Sequence, residues 1–86
     1  MYYLYILLSL KDKKFYTGST SNLKERFDQH VSGKVVSTKN RRPLELAYYE
    51  AYCLKEDALA RELYLKTSDG KRDIKRQLKN FIEKKV

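Results

Sequence analysis

The 86 residues of this chain predict one small α+β domain: a three-stranded antiparallel sheet with three helices, ordered strand, strand, helix, strand, helix, helix. Three observations carry that expectation. A run of aromatic and branched side chains near the start is followed, after one short polar break, by a second such run. Apolar residues then recur every four positions behind a pair of cap residues, which is a helical period. The last third of the chain is helical in pattern and basic, with an interruption at Asp69-Gly70.

Each element has its own local cause. Residues 2–8 are Tyr, Leu and Ile throughout, the composition of a buried strand. Alternation places Tyr3, Tyr5 and Leu7 on one face and Leu4 and Ile6 on the other. Lys11-Asp12-Lys13 breaks the run and residues 15–19 resume it, so the two strands read as a hairpin that brings Tyr5 near Tyr16. Ser21 and Asn22 offer helix caps, and Glu25 stands three residues after Asn22 as in a capping box. The helix runs to residue 32, where Gly33 supplies a left-handed stop. Leu23, Phe27 and Val31 form its expected buried stripe, with Arg26 and His30 one turn apart on the stripe beside it.

Residues 34–43 form a basic loop, long for so small a domain and therefore a candidate binding element. Pro43 introduces a third strand over residues 44–52, in which alternation gives Leu46, Tyr48 and Glu50 one face. Residues 55–67 read as a second helix. Residues 71–84 read as a third, with Ile74, Leu78, Phe81 and Ile82 as its apolar stripe.

Composition narrows the function. The chain is 42% apolar and carries 8 Tyr and 3 Phe, too aromatic for a disordered segment. Nineteen Lys and Arg against 11 Asp and Glu give a net charge of +8, which favours a polyanionic partner. Nucleic acid is the first candidate and an anionic membrane surface the second. The excess is clustered: four bases and no acid lie between Lys34 and Arg42, and eight bases against three acids follow from Lys66 onward. Cys53 is the only cysteine, so neither an internal disulfide nor a cysteine zinc cluster can form. A reducing, cytoplasmic setting is the expectation. The apolar start of the chain lacks the basic leader and cleavage site of a signal peptide and is too short to span a membrane.

Five side chains stand out as chemistry. Tyr5 lies in Leu4-Tyr5-Ile6 and Tyr16 opens Tyr16-Thr17-Gly18-Ser19-Thr20. Arg26 could bridge two phosphate oxygens. His30 could accept a proton or bond an attacking water near neutral pH. Glu62 falls within an expected apolar stripe of Ala58, Leu59 and Leu63, where a carboxylate needs a partner or a cation. The plainer alternative for Glu62 is an ordinary helical pair with Lys66, and for the tyrosines a place in the core.

The two tyrosine segments, Arg26, His30 and the distant Glu62 together resemble the GIY-YIG nuclease domain, over nearly the whole chain. The first segment departs from the motif by lacking its leading glycine. Asn80 is the one match for a late asparagine that many members carry. The resemblance implies a small sandwich fold and a metal-dependent endonuclease acting on DNA. In that reading Glu62 binds Mg2+ or Mn2+ and Arg26 holds the scissile phosphate. Tyr16, with Tyr5 or His30, activates water; a phenol that ionises near pH 10 needs a cation beside it to do so. Gly18 is expected to allow a close backbone approach, with the Ser19 and Thr20 hydroxyls assisting. Lys39, Arg41, Arg42, Lys66, Lys71, Arg72, Lys75 and Arg76 are the expected nucleic-acid contacts, and a protein partner could supply specificity. The rival expectation is a binding module for DNA or RNA that keeps this fold without catalysis.

Overall fold

A computed structural model describes residues 1–85. It places strand β1 (Tyr2–Ser9) between β2 (Phe15–Thr20) and β3 (Leu44–Tyr52), both antiparallel to it. As the central strand of three, β1 has both faces covered, and Leu4 through Leu8 are buried almost completely. Its alternation builds two cores. Leu4 and Ile6 pack with Leu65, Ile74 and Leu78 on one face; Tyr5 and Leu7 pack with Tyr16, Leu23 and Phe27 on the other.

Helix α1 (Leu23–Val31) covers the second face. Asn22 caps it as the sequence predicts: its side-chain oxygen accepts from the Glu25 N–H at 3.1 Å. Gly33 has φ +80°, the left-handed stop. The expected stripe holds at Leu23 and Phe27 and fails at its last position. Val31 is 48% exposed, and His30 takes the fully buried position instead.

The third strand departs from simple alternation. Tyr48 pairs with Ile6 but Leu46 pairs with Leu7, so Ala47 is an extra residue and the strand is bulged there. Leu46 therefore joins the core under α1, while Tyr48 and Glu50 point to the opposite face and do not share its side.

The helical third of the chain divides into three helices rather than two: α2 (Lys55–Leu65), α3 (Ser68–Gln77) and α4 (Lys79–Lys85). The first break falls at Lys66-Thr67, not at Asp69-Gly70, because the Thr67 hydroxyl caps α3 by accepting from the Gly70 N–H at 3.0 Å. Gly70 sits inside the first turn of α3 and is there for clearance. A Cβ at that position would lie 1.9 Å from the Tyr64 carbonyl oxygen. The second break, at Leu78 (φ −98°, ψ 23°), leaves the apolar period of the two helices in phase, so the sequence reads through it. On α2 the inward positions are Ala58 and Leu65. Leu59 and Leu63, expected to be buried, are 40% and 70% exposed.

The basic loop is largely tied down. Ser9, fully buried, donates to the Arg41 carbonyl at 2.6 Å and accepts from the Lys11 and Asp12 N–H groups. A 3-10 turn over Lys39–Arg41 and a cis Arg42–Pro43 peptide lead into β3.

Candidate active site

The site is built where β2 and β1 face α1. Tyr5 lies opposite Gly18 in the ladder, and the missing side chain of Gly18 is what admits the phenol. An added Cβ would stand 2.6 Å from the Tyr5 oxygen. The Tyr5 hydroxyl meets His30 Nε2 at 2.8 Å, and His30 Nδ1 meets the Thr38 hydroxyl at 2.7 Å. Arg26 Nε approaches the same Tyr5 oxygen at 3.4 Å. A guanidinium can only donate, so the Tyr5 proton is free to point at His30 Nε2. The imidazole then carries its own proton on Nδ1, toward Thr38. One direction runs through the chain: Arg26 to Tyr5 to His30 to Thr38.

That order requires a neutral ring, which the electrostatics favour. Burial pushes the Tyr5 phenol above its ordinary value, helped by the neighbouring Tyr16 and Glu62 and opposed by Arg26. Burial and, secondarily, the Arg26 charge lower His30 from 6.5 to about 4, so the ring is neutral at physiological pH. Arg26 is held protonated chiefly by its hydrogen bond to Tyr5, with smaller support from the nearby Tyr16 phenol. Its Nη1 donates to Gln29 Oε1 at 3.1 Å. The rings of Tyr5, Tyr16 and His30 are mutually packed, with centroids 5.2–6.4 Å apart. Tyr5 is 1% and His30 0% exposed, whereas Tyr16 and Arg26 are half-buried and face the outside.

Glu62 projects from α2 on the other side of the β2 edge. Ser19 Oγ donates to its Oε1 at 2.6 Å and Lys66 Nζ to its Oε2 at 2.8 Å. Burial works to raise its pKa, but the bonds from Lys66 and Ser19 prevail and hold the carboxylate below its usual range. Its charge acts on the Tyr5 phenol, although no direct bond joins Glu62 to Tyr5, Tyr16 or Arg26. The helical pair with Lys66 expected as the plainer alternative is thus present, and the Ser19 bond is added to it.

Tyr5, Tyr16, Arg26 and His30 therefore form one contiguous cluster, with Glu62 fixed to the end of the same hairpin strand. Among the described residues no group of three or more His, Cys, Asp and Glu side chains could enclose a metal ion. An ionised carboxylate alone suits a hard divalent cation that keeps most of its waters. Thr38 is the one member without a mark in the sequence pattern. Asn80 sits exposed on α4.

A family model of the GIY-YIG catalytic domain matches residues 1–78. The chain belongs to the GIY-YIG family. This is a nuclease family, and membership implies a nucleic-acid substrate. Among its relatives, this GIY-YIG chain is 39% identical over 82 residues to a UPF0213 protein of Pediococcus acidilactici, covering 92% of this chain and 82% of that one. It is 43% identical over 68 residues to a UPF0213 protein of Limosilactobacillus reuteri, covering 76% and 70%. The solution NMR structure of a UPF0213 protein from Bacillus halodurans matches with a TM-score of 0.53 and 35% identity, over 86% of this chain and 82% of that one.

The expected nucleic-acid contacts separate into three groups and one lone lysine. Arg41 and Arg42 are committed to the fold. Arg41 pairs with Asp12 at 2.8 Å and donates to the Lys14 and Phe15 carbonyls, pinning the hairpin turn. That bond holds Asp12 well below the usual carboxylate range. Arg42 donates to the Lys39 and Val31 carbonyls and lies against Gly33 at the end of α1. Arg72 and Arg76 are exposed and paired within α3 to Asp69 and Asp73. Lys66, Lys71 and Lys75 line a groove beside β2, as do Lys13 and Lys14 of the hairpin turn, which were not among the expected contacts. Lys39 is exposed on the 3-10 turn.

Proposed function

We propose that this chain is a divalent-metal-dependent endonuclease that hydrolyses DNA phosphodiester bonds. The observation that supports it best is the half-buried Arg26 guanidinium, bonded to the Tyr5 phenol against which Tyr16 packs, at the strand whose Ser19 holds an ionised Glu62. Arg26 retains N–H groups able to grip two oxygens of a scissile phosphate and to stabilise charge as it develops there. Tyr16, the outward phenol, hydrogen-bonds and orients a water for attack on that phosphate. Tyr5 is a positioning group, fixed by His30 beneath it, and both keep Arg26 and Tyr16 in register. His30 acts through Tyr5 because both of its nitrogens are already engaged. Glu62 would hold Mg2+ or Mn2+, which when bound supplies Lewis-acid polarisation of the phosphate and its leaving oxygen.

A binding module without catalysis is favoured by one feature, the Lys66 ammonium already seated on Glu62 Oε2. The two readings part in a single experiment. Plasmid, single-stranded DNA and RNA are incubated with the protein in Mg2+, Mn2+ or chelator. We expect metal-dependent cutting of DNA that falls about 100-fold or more in Arg26→Ala and Glu62→Gln. Retention of nucleic acid without cutting in any metal, or variants that cut at the parent rate, would refute the nuclease assignment.

A further inference from the structure

Beside the active site runs a groove of about 640 Å³, between the outer edge of β2 and the helices α3 and α4. Five lysines stand along it: Lys13 and Lys14 at the hairpin turn, Lys66 after α2, and Lys71 and Lys75 on α3. Among the described residues no acidic side chain lines it, and of the five only Lys66 is paired to an acid, Glu62 beside the groove. Its floor is apolar. Phe15 and Ile82, half-buried, lie over the buried Leu65 and Ile74. Tyr16 and Thr17 form its wall, so one phenol belongs both to the groove and to the catalytic cluster.

A basic rim alone fits any polyanion. The combination of rim and floor is more selective. A paired duplex turns its bases inward and presents phosphate and sugar to a protein, which would satisfy the lysines and leave polar backbone lying on Phe15 and Ile82. A base turned outward covers that floor with a flat apolar face while its flanking phosphates reach the rim. Bases of a single strand are free to do this, whereas a duplex must first unstack and unpair one. Resting on the nuclease reading for its catalytic neighbour, we infer that the groove seats an unpaired nucleotide of a DNA strand, next to the linkage that Arg26 and Tyr16 address. The substrate class is DNA with an unpaired segment at the cut.

The test is binding to the unaltered protein, read by fluorescence anisotropy in chelator so that nothing is cut. The probe is a labelled single strand of about a dozen nucleotides, within the span such grooves cover. It is compared with its duplex and with the same strand made abasic at each position in turn. The strand is expected to bind more tightly than the duplex, and one abasic position to weaken binding about tenfold, the scale of a single stacked base. Lys71→Glu with Lys75→Glu should weaken intact and abasic strands alike, marking the rim as separate from the floor. Equal affinity for all abasic strands, or a duplex that binds as tightly, would overturn the assignment. A persistent abasic penalty in a protein that never cuts would refute the nuclease reading and leave the groove standing.

Discussion

His30 is the only histidine in the chain, so its protonation can be followed without ambiguity. The folded ring is expected to titrate at about 4 instead of 6.5, because burial and the Arg26 charge both oppose the imidazolium. At about 1.4 kcal/mol for each tenfold change in proton affinity, that difference amounts to about 3 kcal/mol against charging the folded ring. The sign follows directly. Between pH 6.5 and about 4 the unfolded chain binds this proton and the folded chain does not, so stability falls as the pH is lowered through that window. Above pH 6.5 the ring contributes no pH dependence. Glu50 and Glu62, whose carboxyls are also held low, begin to lose their contributions in the lower part of the same range. Stability curves alone would mix the three, and the ring should be read by NMR. We expect its resonances to hold steady from pH 8 down to about 5, with nitrogen shifts of an Nδ1-protonated ring (ordinary histidines move near 6.5). A midpoint near 6.5, or a proton on Nε2, would refute the buried chain from Arg26 to Thr38.

Two glycines give sharper structural tests. Gly18→Ala places a methyl 2.6 Å from the Tyr5 oxygen, so the phenol must leave its bonds to His30 and Arg26. A stability loss of about 1–3 kcal/mol and DNA cutting reduced at least about tenfold are expected, from denaturant melts and cleavage rates; a parent-like His30 titration in this variant would contradict the geometry. Gly70→Ala drives a methyl to 1.9 Å from the Tyr64 carbonyl, a backbone atom that cannot rotate away. A loss of about 3 kcal/mol, seen as a melting temperature lower by more than about 10 °C in a domain this size, is the expected result, and an unchanged melt would show that α3 is free to shift.

The β1–β2 hairpin, the α1 caps and the meeting of Tyr5 with Tyr16 were legible because each depends on neighbours in sequence. Alternation, cap chemistry and a short polar turn are local signals. What the sequence hid was long-range. The face of Leu46 depended on the bulge at Ala47, which has no marker in composition. His30 replaced Val31 inside the protein because Tyr5 and Thr38, 25 residues before and 8 after, satisfy both of its nitrogens. Arg41 and Arg42 looked like free cations because most of their partners are backbone carbonyls, which every residue carries. Glu62 was recognisable as an odd carboxylate on a helix, but the stripe that made it odd was misplaced: Leu59 and Leu63 face outward, and Ser19 is what draws the acid in.

The internal use of Arg41 and Arg42 bears on how the molecule meets a polyanion. With Arg41 matched to Asp12, Arg42 turned onto backbone carbonyls, and Arg72 and Arg76 matched to aspartates, the surplus charge of +8 is not spread evenly but leans toward the lysines along β2. Such a lopsided field exerts a torque on the protein as it diffuses, turning it before contact. Arrival is thereby biased toward one orientation, with Tyr16 leading.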